Sequence, residues 1–307
     1  MTCDSVSIAI CTRDRADHLE KTLASLSAVR VPPHLDVELL VVDNNSIDHT
    51  TEVVQRQEVP FSEKRLFSEP RVGVARARNT AVENAAGDII LFTDDDLRFP
   101  ENWIAGMTTP ITEGEADAVA GGVRIAPHLE RPWMEPWHRA FLASSQRLED
   151  DPVTNMIGAN MAFGRYVLDE IPKFDPRLGP GQLGTSEESL FARRLYREGF
   201  RIAPAFNVEV EHHFDPSRLS RDSFLSAAKK LGRSRAYIHH AHLPEQDLFP
   251  DRLPRAYAQL LAAKAKLFLK RQWLRPQEAD DAPPLPSWEK YYVHRIAYLK
   301  QGIRERL

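Results

Sequence analysis

The chain has 307 residues, which suits one α/β domain of about 200 residues with an appendage, or two modest domains. Hydrophobic residues make up 42% and charged residues 27%, so general disorder is excluded. The only cysteines, Cys3 and Cys11, are too few for a disulfide framework or a cysteine-rich zinc site. They favour a reducing compartment.

The formal net charge of −4 hides an asymmetry between the body and the tail. From residue 252 onward, 12 Lys and Arg stand against 5 Asp and Glu, whereas the rest of the chain has 28 against 39. The body is acidic and the tail lacks base-reading features, which argues against a nucleic-acid partner. No stretch resembles a membrane span or a signal peptide, so we expect a cytoplasmic protein.

Strands and helices alternate through the first hundred residues. Short apolar runs predict strands at residues 6–11, 37–42, 65–67 (edge-like) and 88–92. Asp17 stands three residues before Glu20, as in a capping box, and Asp48 is placed to cap a short second helix. A third helix is predicted over residues 73–85, with Gly87 where it ends. Apolar strands alternating with helices predict an α/β fold with a mostly parallel sheet covered on both faces.

The second half of the chain is less regular and then becomes helical. Strands are expected at residues 118–125, 156–163 and 207–212, and helices at 187–197, 222–240, 254–274 and 288–304. We therefore expect an α/β domain over residues 1–216 and a basic helical extension over residues 217–307.

Polar side chains follow three of the predicted strands. They are Thr12 and Arg13, then Asp43, Asn44 and Asn45, and finally Asp94, Asp95 and Asp96. Ligands bind beyond the carboxyl ends of the strands in open parallel sheets, so these groups predict a binding site. The alternative for the asparagine-containing segment is a solvated turn.

The most distinctive local feature of the sequence is the acidic triplet Asp94, Asp95 and Asp96. Three adjacent carboxylates repel one another, and a bound Mg²⁺ or Mn²⁺ would relieve that repulsion while sharing its remaining positions with substrate phosphates. The alternative is a solvent-exposed acidic loop. Because no P-loop or dinucleotide fingerprint is present, phosphates would be held by metal and by Arg71, Arg76 or Arg78, unless these arginines form only a solvated helix face.

Several motifs in order resemble family 2 glycosyltransferases with the GT-A fold. They are Ile10-Cys11-Thr12-Arg13, Val42-Asp43-Asn44-Asn45-Ser46, Gly73-x-Ala75-x-Ala77-Arg78-Asn79, Leu91-Phe92-Thr93-Asp94-Asp95-Asp96, Gly158-Ala159-Asn160, Glu187-Glu188 with Arg194-Leu195 and Gly199, and His212. The resemblance covers roughly residues 5 to 215. It implies a GT-A α/β fold and an inverting, DxD metal-dependent transferase. The C-terminal helical extension lies outside the resemblance and is expected from the helical pattern of the tail.

The resemblance also assigns donor-binding roles. It implies a nucleotide-sugar donor, with a UDP-sugar favoured over dTDP- or GDP-sugars, and Mn²⁺ or Mg²⁺ as cofactor. Asp43 is similar to the residue that reads the base or ribose. Asp94 and Asp96 resemble the DxD pair, with Asp96 on the metal and Asp94 near the ribose and the metal. The other donor-binding candidates are Thr12, Arg13, Asn45, Arg78 and Asp95.

Glu188 occupies the position of the family's catalytic base. The usual Glu-Asp pair is replaced here by Glu187-Glu188, which moves the carboxylate by about one bond. We expect the N-terminus of the helix to keep Glu188 ionised, so that it takes the acceptor's proton on the side opposite the diphosphate and the anomeric configuration inverts. Taken alone, the pair is also typical of an ordinary acidic helix start.

His212 shares strand parity with Val208 and Val210 and should point inward. An inward histidine is either a hydrogen-bonded core residue or a metal ligand, and the metal's need for another protein ligand favours the second role. The basic tail, with Leu, Phe and Trp among its lysines, fits either an interfacial membrane helix or a helix packed on the catalytic domain.

The leading hypothesis is a metal-dependent inverting glycosyltransferase of glycan, polysaccharide or glycoconjugate biosynthesis, with a glycan, lipid-linked or small-molecule acceptor. One alternative is a sugar nucleotidyltransferase, which would need a glycine-rich, lysine-containing phosphate loop near the first strand. The other is an inactive nucleotide-sugar-binding module, against which the acidic residues argue.

Overall fold

The computed structural model describes residues 4–145, 155–246, 249–274 and 282–307, so Cys3 lies outside the described residues. The strands are β1 (Ser5–Thr12), β2 (Asp36–Asp43), β3 (Glu63–Ser68), β4 (Ile89–Thr93), β5 (Leu97–Arg98), β6 (Ala118–Ile125), β7 (Asn160–Gly164) and β8 (Ile202–His212). The α-helices are α1 (Ala16–Leu26), α2 (Thr50–Arg56), α3 (Val74–Asn84), α4 (Trp103–Thr112), α5 (Pro136–Phe141), α6 (Glu187–Arg197), α7 (Arg221–Ala241), α8 (Leu253–Trp273) and α9 (Ser287–Arg306).

One sheet of eight strands, in the order β3-β2-β1-β4-β7-β6-β8-β5, organises the first part of the chain. Strands β3, β2, β1 and β4 are parallel neighbours, and β3 lies at the edge as predicted. Strand β7 is antiparallel to both β4 and β6, whereas β6 and β8 are parallel. The α/β fold with a mostly parallel core of strands is confirmed, and the sheet becomes mixed beyond β4.

Alternate residues of the central strands face opposite sides of the sheet, as the pleat requires. Ile8 and Leu39 belong to a core that includes apolar residues of α1, α2 and α4. Ala9 and Leu40 belong to a second core that includes residues of α3 and α6. The sheet is therefore covered on both faces, as predicted.

Two expectations about helix ends were wrong. Asp17 does not cap α1, because the amide of Ala16 donates instead to Asp48 Oδ2 at 2.9 Å. Gly87 does not end α3 by a left-handed turn. A side chain on Gly87 would meet the backbone of Val6 and Ser7, since the ideal Cβ lies 2.5 Å from the amide nitrogen of Ser7. Gly87 is therefore required by close packing against β1.

Other elements also differ from the sequence pattern. Strand β8 begins at Ile202, five residues before its predicted start, and β5 and α5 were not predicted. Strand β7 begins at Asn160, four residues after the predicted start, and ends at Gly164. Helix α4 was not predicted, because Gly106 and Pro110 argue against a helix. It forms because its apolar residues lie on one face and are buried against the first core, a tertiary contribution that outweighs local propensity.

Strand β5 positions the candidate site. It follows the acidic triplet directly and pairs with β8, so that Leu97 lies opposite His212. The amide of His213 also donates to the carbonyl oxygen of Asp96 at 2.8 Å. This turn of the chain brings the end of β8 beside the carboxyl end of β4, although the two segments are far apart in the sequence.

The chain divides into two compact units, of which the second comprises Arg131–Phe141, Leu178–Ser186 and Asp215–Leu307. Its cores join α7, α8 and α9 through Ala236, Leu260 and Leu299, and through Ala228 and Leu267 among others. Within the described residues, no helix combines the length and the apolar character needed to cross a bilayer. The division into domains at residue 216 stays a prediction.

Candidate active site

The sheet register brings the three polar strand ends to one edge. Thr12 at the end of β1 lies opposite Asp43 at the end of β2. Ile10 of β1 lies opposite Thr93, the last residue of β4, so the acidic triplet follows at the same edge. The predicted gathering of these segments is therefore seen in the structure, while the roles of the individual residues stay predictions.

The segment after β2 forms a hydrogen-bonded turn with accessible polar groups. Asp43 Oδ1 accepts from the amide of Ser46 at 2.9 Å, and Asn45 is exposed with a φ of +64°. Asn44 is buried and holds the entry to α3, because its Oδ1 accepts from the amide of Gly73 at 2.8 Å. Arg13 is 44% exposed beside Asp14. Asp43, Asn45 and Arg13 are thus members of the predicted donor set whose side chains are accessible at this edge.

Unlike Asp43, Asn45 and Arg13, Thr12 has a buried side chain. Its hydroxyl is buried and donates to Asp95 Oδ2 at 2.7 Å. The backbone carbonyl of Asp95 in turn accepts from the hydroxyl of Thr22 at 2.7 Å. Thr12 therefore holds the acidic triplet in position in this structure.

Arg15 supplies a positive charge that the sequence pattern did not reveal. Its Nη1 lies 3.3 Å from Asp95 Oδ1, and its Nη2 lies 2.5 Å from Asp96 Oδ2. A second arginine, Arg78, lies 3.8 Å from Asp94 Oδ1. Two arginines thus offset part of the negative charge of the three carboxylates, and the metal ion expected there stays a prediction.

The three carboxyls differ in protonation because their neighbours differ. Burial raises the pKa of Asp95 to about 7, with the charge of Arg15 opposing the rise and that of Asp96 adding to it. Burial also disfavours the charged form of Asp96, but His212 and Arg15 outweigh it and lower the pKa. Asp94 is 38% exposed, and burial raises its pKa against the attraction of Arg78. Asp96 is thus the residue of the triplet that holds a negative charge most firmly.

His212 lies beside Asp96, and its ring is held by both nitrogens. Nδ1 is 2.8 Å from the carbonyl oxygen of Leu142, and Nε2 is 3.2 Å from Asp96 Oδ2. When Nδ1 carries the hydrogen for Leu142, a neutral ring turns the lone pair of Nε2 toward the carboxylate. Two acceptors facing each other need a cation between them, which is either a proton on Nε2 or a metal ion.

The donor set around Asp96 fits a divalent cation in part. Asp96 Oδ1 is buried and accepts no hydrogen bond from the described residues. One carboxylate and one imidazole are suitable ligands for Mn²⁺. Among the described residues, however, no three His, Cys, Asp or Glu side chains are grouped so as to hold a metal by themselves. A cation on Asp96 and His212 would need further ligands, which phosphates and water supply in many Mg²⁺ and Mn²⁺ sites.

Arg78 connects α3 with the start of α6. Its Nη1 donates to Glu187 Oε1 at 2.6 Å, and both side chains are buried. Burial works against the cation, but the carboxylates of Glu187, Glu188 and Asp94 outweigh it and raise the pKa of Arg78. Gly158 leaves room for the guanidinium, since an ideal Cβ there would lie 2.0 Å from Nη2. Arg78 therefore has carboxylate partners already, whereas the sequence predicted it as a donor or phosphate ligand.

Glu187 and Glu188 interact with each other at the start of α6 but differ in their contact with Arg78. Glu187 is the partner of Arg78, whereas Glu188 Oε2 is buried and accepts no hydrogen bond from the described residues. Burial, followed by the charge of Glu187, raises the pKa of Glu188 to about 8. The expectation that the helix N-terminus keeps Glu188 ionised at neutral pH was therefore wrong, because burial outweighs the helix dipole.

The structure also places Arg71 and Arg76, the other predicted phosphate ligands, and the motif residue Asn160. Arg71 binds Glu69 through Nε and Nη2 at 2.8 Å, and Arg76 is half-buried on α3. Asn160, from the motif Gly158-Ala159-Asn160, accepts from Trp103 Nε1 at 2.9 Å and donates to the carbonyl of Gly122. Asn160 is thus a buried structural link, which its place in a strand did not indicate.

Comparison with known proteins agrees with the architecture. Mannosyltransferase PcManGT from Pyrobaculum calidifontis, solved in complex with GDP-Man and Mn²⁺, aligns with a TM-score of 0.62 over 98% of this chain and 88% of PcManGT. At 21% identity this similarity speaks to the fold alone. The GT-A fold expected from the sequence is confirmed.

Sequence relatives match shorter segments. Succinoglycan biosynthesis protein ExoM of Rhizobium meliloti is 31% identical over 121 residues, which are 39% of this chain and 38% of ExoM. The Escherichia coli protein WfgD, a UDP-Glc:alpha-D-GlcNAc-diphosphoundecaprenol beta-1,3-glucosyltransferase, is 40% identical over 85 residues, 27% of this chain and 30% of WfgD. The chain therefore matches well under half the length of these relatives. The family model "Glycosyl transferase family 2" matches residues 7–172, more than half of the chain. The chain belongs to glycosyl transferase family 2.

Proposed function

We propose that this chain is a metal-dependent inverting glycosyltransferase. It moves a sugar from a nucleotide-diphosphate donor to an acceptor hydroxyl, in the synthesis of a polysaccharide or glycoconjugate. Family membership supports sugar transfer. The names of ExoM and WfgD, which refer to succinoglycan and to a lipid-linked glycan, support that setting. The ligands of PcManGT support a nucleotide sugar and a divalent cation.

The observation that carries the proposal is the meeting of Asp96 and His212. Nε2 of His212 and Oδ2 of Asp96 are 3.2 Å apart, and Asp96 Oδ1 has no donor among the described residues. These two side chains would hold Mn²⁺ or Mg²⁺, with Asp94 toward the metal and the ribose. When bound, the cation supplies charge stabilisation for the departing diphosphate.

The groups at the ends of β1 and β2 would bind the nucleotide. Asp43 and Asn45 present polar atoms at this edge, and Arg13 adds an accessible positive charge. Thr12 and Asp95 would support this site indirectly, because the hydroxyl of Thr12 donates a hydrogen bond to the carboxylate of Asp95. We favour UDP as the nucleotide of the donor over dTDP or GDP.

Glu188 would act as the general base. The acceptor oxygen forms a bond to the sugar C1, the bond from C1 to the diphosphate breaks with its electron pair on the leaving group, and the acceptor's proton goes to Glu188. Attack opposite the leaving group inverts the anomeric configuration. Arg78 holds Glu187 and thereby fixes the first turn of α6, which carries Glu188. A base with a pKa of about 8 accepts a proton readily once it is ionised.

The tail supports peripheral membrane contact, which we propose as a second property. Helix α8 buries Leu260 and Leu267 but leaves other large apolar side chains exposed. These are Leu261, Phe268, Leu269 and Trp273, at 65%, 62%, 55% and 86% exposure. Lysines lie between them, which is typical of an interfacial helix. We expect the protein to co-sediment with vesicles containing phosphatidylglycerol and Trp273→Ser to weaken this, whereas Tyr291→Ser on α9 should not.

The transfer reaction is tested by binding and turnover together. Thermal unfolding is recorded with UDP-, dTDP- and GDP-sugars, with and without Mn²⁺, for the unaltered chain, Asp96→Ala and His212→Ala. Asp17→Ala serves as the control because Asp17 is 82% exposed and outside the site. We expect Mn²⁺-dependent stabilisation by one nucleotide class, lost in both site variants. Unchanged Mn²⁺ dependence in Asp96→Ala would exclude the metal site, and binding without any donor hydrolysis would indicate an inactive module.

A further inference from the structure

A basic cavity lies within the second unit, among α7, α8 and α9. Its volume is about 400 Å³, within the range of roughly 300–1,000 Å³ that is usual for small-molecule sites. Among the described residues, five cationic side chains line it, and no Asp or Glu does. They are Lys229, Arg233, Arg271, Lys300 and Arg304.

Four of these cations have no carboxylate partner in the described part of the chain. Arg271 is the exception, because Nε donates to Glu289 Oε1 at 2.7 Å. Lys229 and Arg233 are four residues apart on α7, as are Lys300 and Arg304 on α9. Like charges at this spacing destabilise a helix. An anion in the cavity would relieve both pairs.

Arg233 gives a separate indication of a missing partner. Its Nε is buried and has no hydrogen-bond acceptor among the described residues. A buried guanidinium nitrogen without an acceptor is costly, because its hydration is lost and not replaced. An oxyanion that enters the cavity would supply that acceptor.

The remaining lining is aliphatic. It comes from Leu225 of α7, Leu267 of α8, and Val293 and Ile296 of α9. In the part of the chain that the structure describes, no aromatic side chain on which a base could stack lines the cavity, which argues against a nucleotide. Aliphatic side chains next to unpaired cations suit a molecule with a charged head and a hydrocarbon chain.

We propose that this cavity binds a phosphorylated lipid, with the phosphate among the cations and the first carbons of the chain on the aliphatic residues. A phosphate monoester carries up to two negative charges and several acceptor oxygens, which matches four unpaired cations better than a single carboxylate does. The test measures ligand binding to the cavity and needs no transfer reaction. A negative result would therefore count against this site and not against the proposed sugar transfer.

The test uses isothermal titration calorimetry of the full chain with decyl phosphate below its micelle concentration. Ethyl phosphate, decanoate and decanol are the comparison ligands. We expect saturable binding of one decyl phosphate per chain. Ethyl phosphate should bind at least tenfold more weakly, because each buried methylene contributes to affinity. Equal affinity for ethyl phosphate would exclude the lipid chain, and equal affinity for decanoate would exclude recognition of the phosphate.

Variants then locate the site. Arg233→Gln and Lys300→Gln should each weaken decyl phosphate binding about tenfold, as expected for the loss of a charged contact. Lys264→Gln on α8 is the matched control, because Lys264 is exposed and does not line the cavity. Thermal unfolding checks that each variant is folded. The same affinity in all three variants, or equal losses in all three, would overturn the proposal.

Discussion

Exchanging each glutamate of the pair at the start of α6 for glutamine should produce two opposite phenotypes. Glu187→Gln removes the charge that faces Arg78 across 2.6 Å, where the two side chains are only 4% and 6% exposed. Removing one partner of a buried ion pair costs about 3–5 kcal/mol. Glutamine keeps one acceptor and Asp94 remains 3.8 Å from Arg78, so we expect the lower end, about 3 kcal/mol.

This loss is large enough to measure by calorimetry. For a chain of this size, 3 kcal/mol lowers the midpoint of thermal unfolding by roughly 5 °C. Glu188→Gln should leave the midpoint nearly unchanged, because burial already favours the neutral form of Glu188 at neutral pH. Its turnover should nevertheless fall by about 10²-fold or more, with donor affinity retained, since glutamine cannot accept the proton.

The assay pairs differential scanning calorimetry with initial rates of donor hydrolysis and transfer, for both variants side by side. The nucleotide sugar used is the one that stabilises the unaltered chain most. Full stability in Glu187→Gln would refute the buried ion pair. A larger loss of turnover in Glu187→Gln than in Glu188→Gln, measured at a temperature where both are folded, would reverse the assignment of the base.

Three further outcomes are expected. The kcat/KM for donor hydrolysis should rise with pH through about 8, because Glu188 must lose its proton to act as base. A pH–rate profile of the unaltered chain that is flat across this range would contradict this prediction. Gly158→Ala should destabilise the protein by about 1–3 kcal/mol, since its methyl group would overlap Arg78, and denaturant unfolding with an unchanged midpoint would show that the guanidinium can move aside. Arg15→Gln should lower stability without metal but increase the stabilisation by Mn²⁺, because Arg15 lies on the Asp96 oxygen that a cation would share. Thermal unfolding with increasing Mn²⁺ measures this, and a smaller metal response than in the unaltered chain would count against it.

The sequence alone determined the features that depend on local pattern. Apolar runs separated by amphipathic segments predicted β1 to β4 and α6 to α9 within a few residues, because hydrophobic periodicity records which face of an element is buried. The acidic triplet after β4 and the turn after β2 could be placed at one edge, since parallel strands end on the same side of a sheet. The order of the motifs was enough to indicate the family.

The sequence left undetermined which side chains would meet. Arg15 and Asp96 are 81 residues apart, Arg78 and Glu187 are 109 apart, and His212 and Asp96 are 116 apart. Their contacts depend on strand order and register, above all on the pairing of β5 with β8, and a pattern of neighbouring residues does not encode that pairing.

Protonation was decided at the tertiary level for the same reason. A helix start favours an ionised carboxylate, and the sequence supports that expectation for Glu188. Folding partly buries Glu188 beside Glu187 and gives Arg78 to Glu187 as its direct partner, and desolvation together with the charge of Glu187 raises the pKa of Glu188 to about 8. The sequence therefore determined which groups stand at the active edge, while the tertiary structure decided their partners and their charge, because desolvation and ion pairing depend on residues distant in the chain.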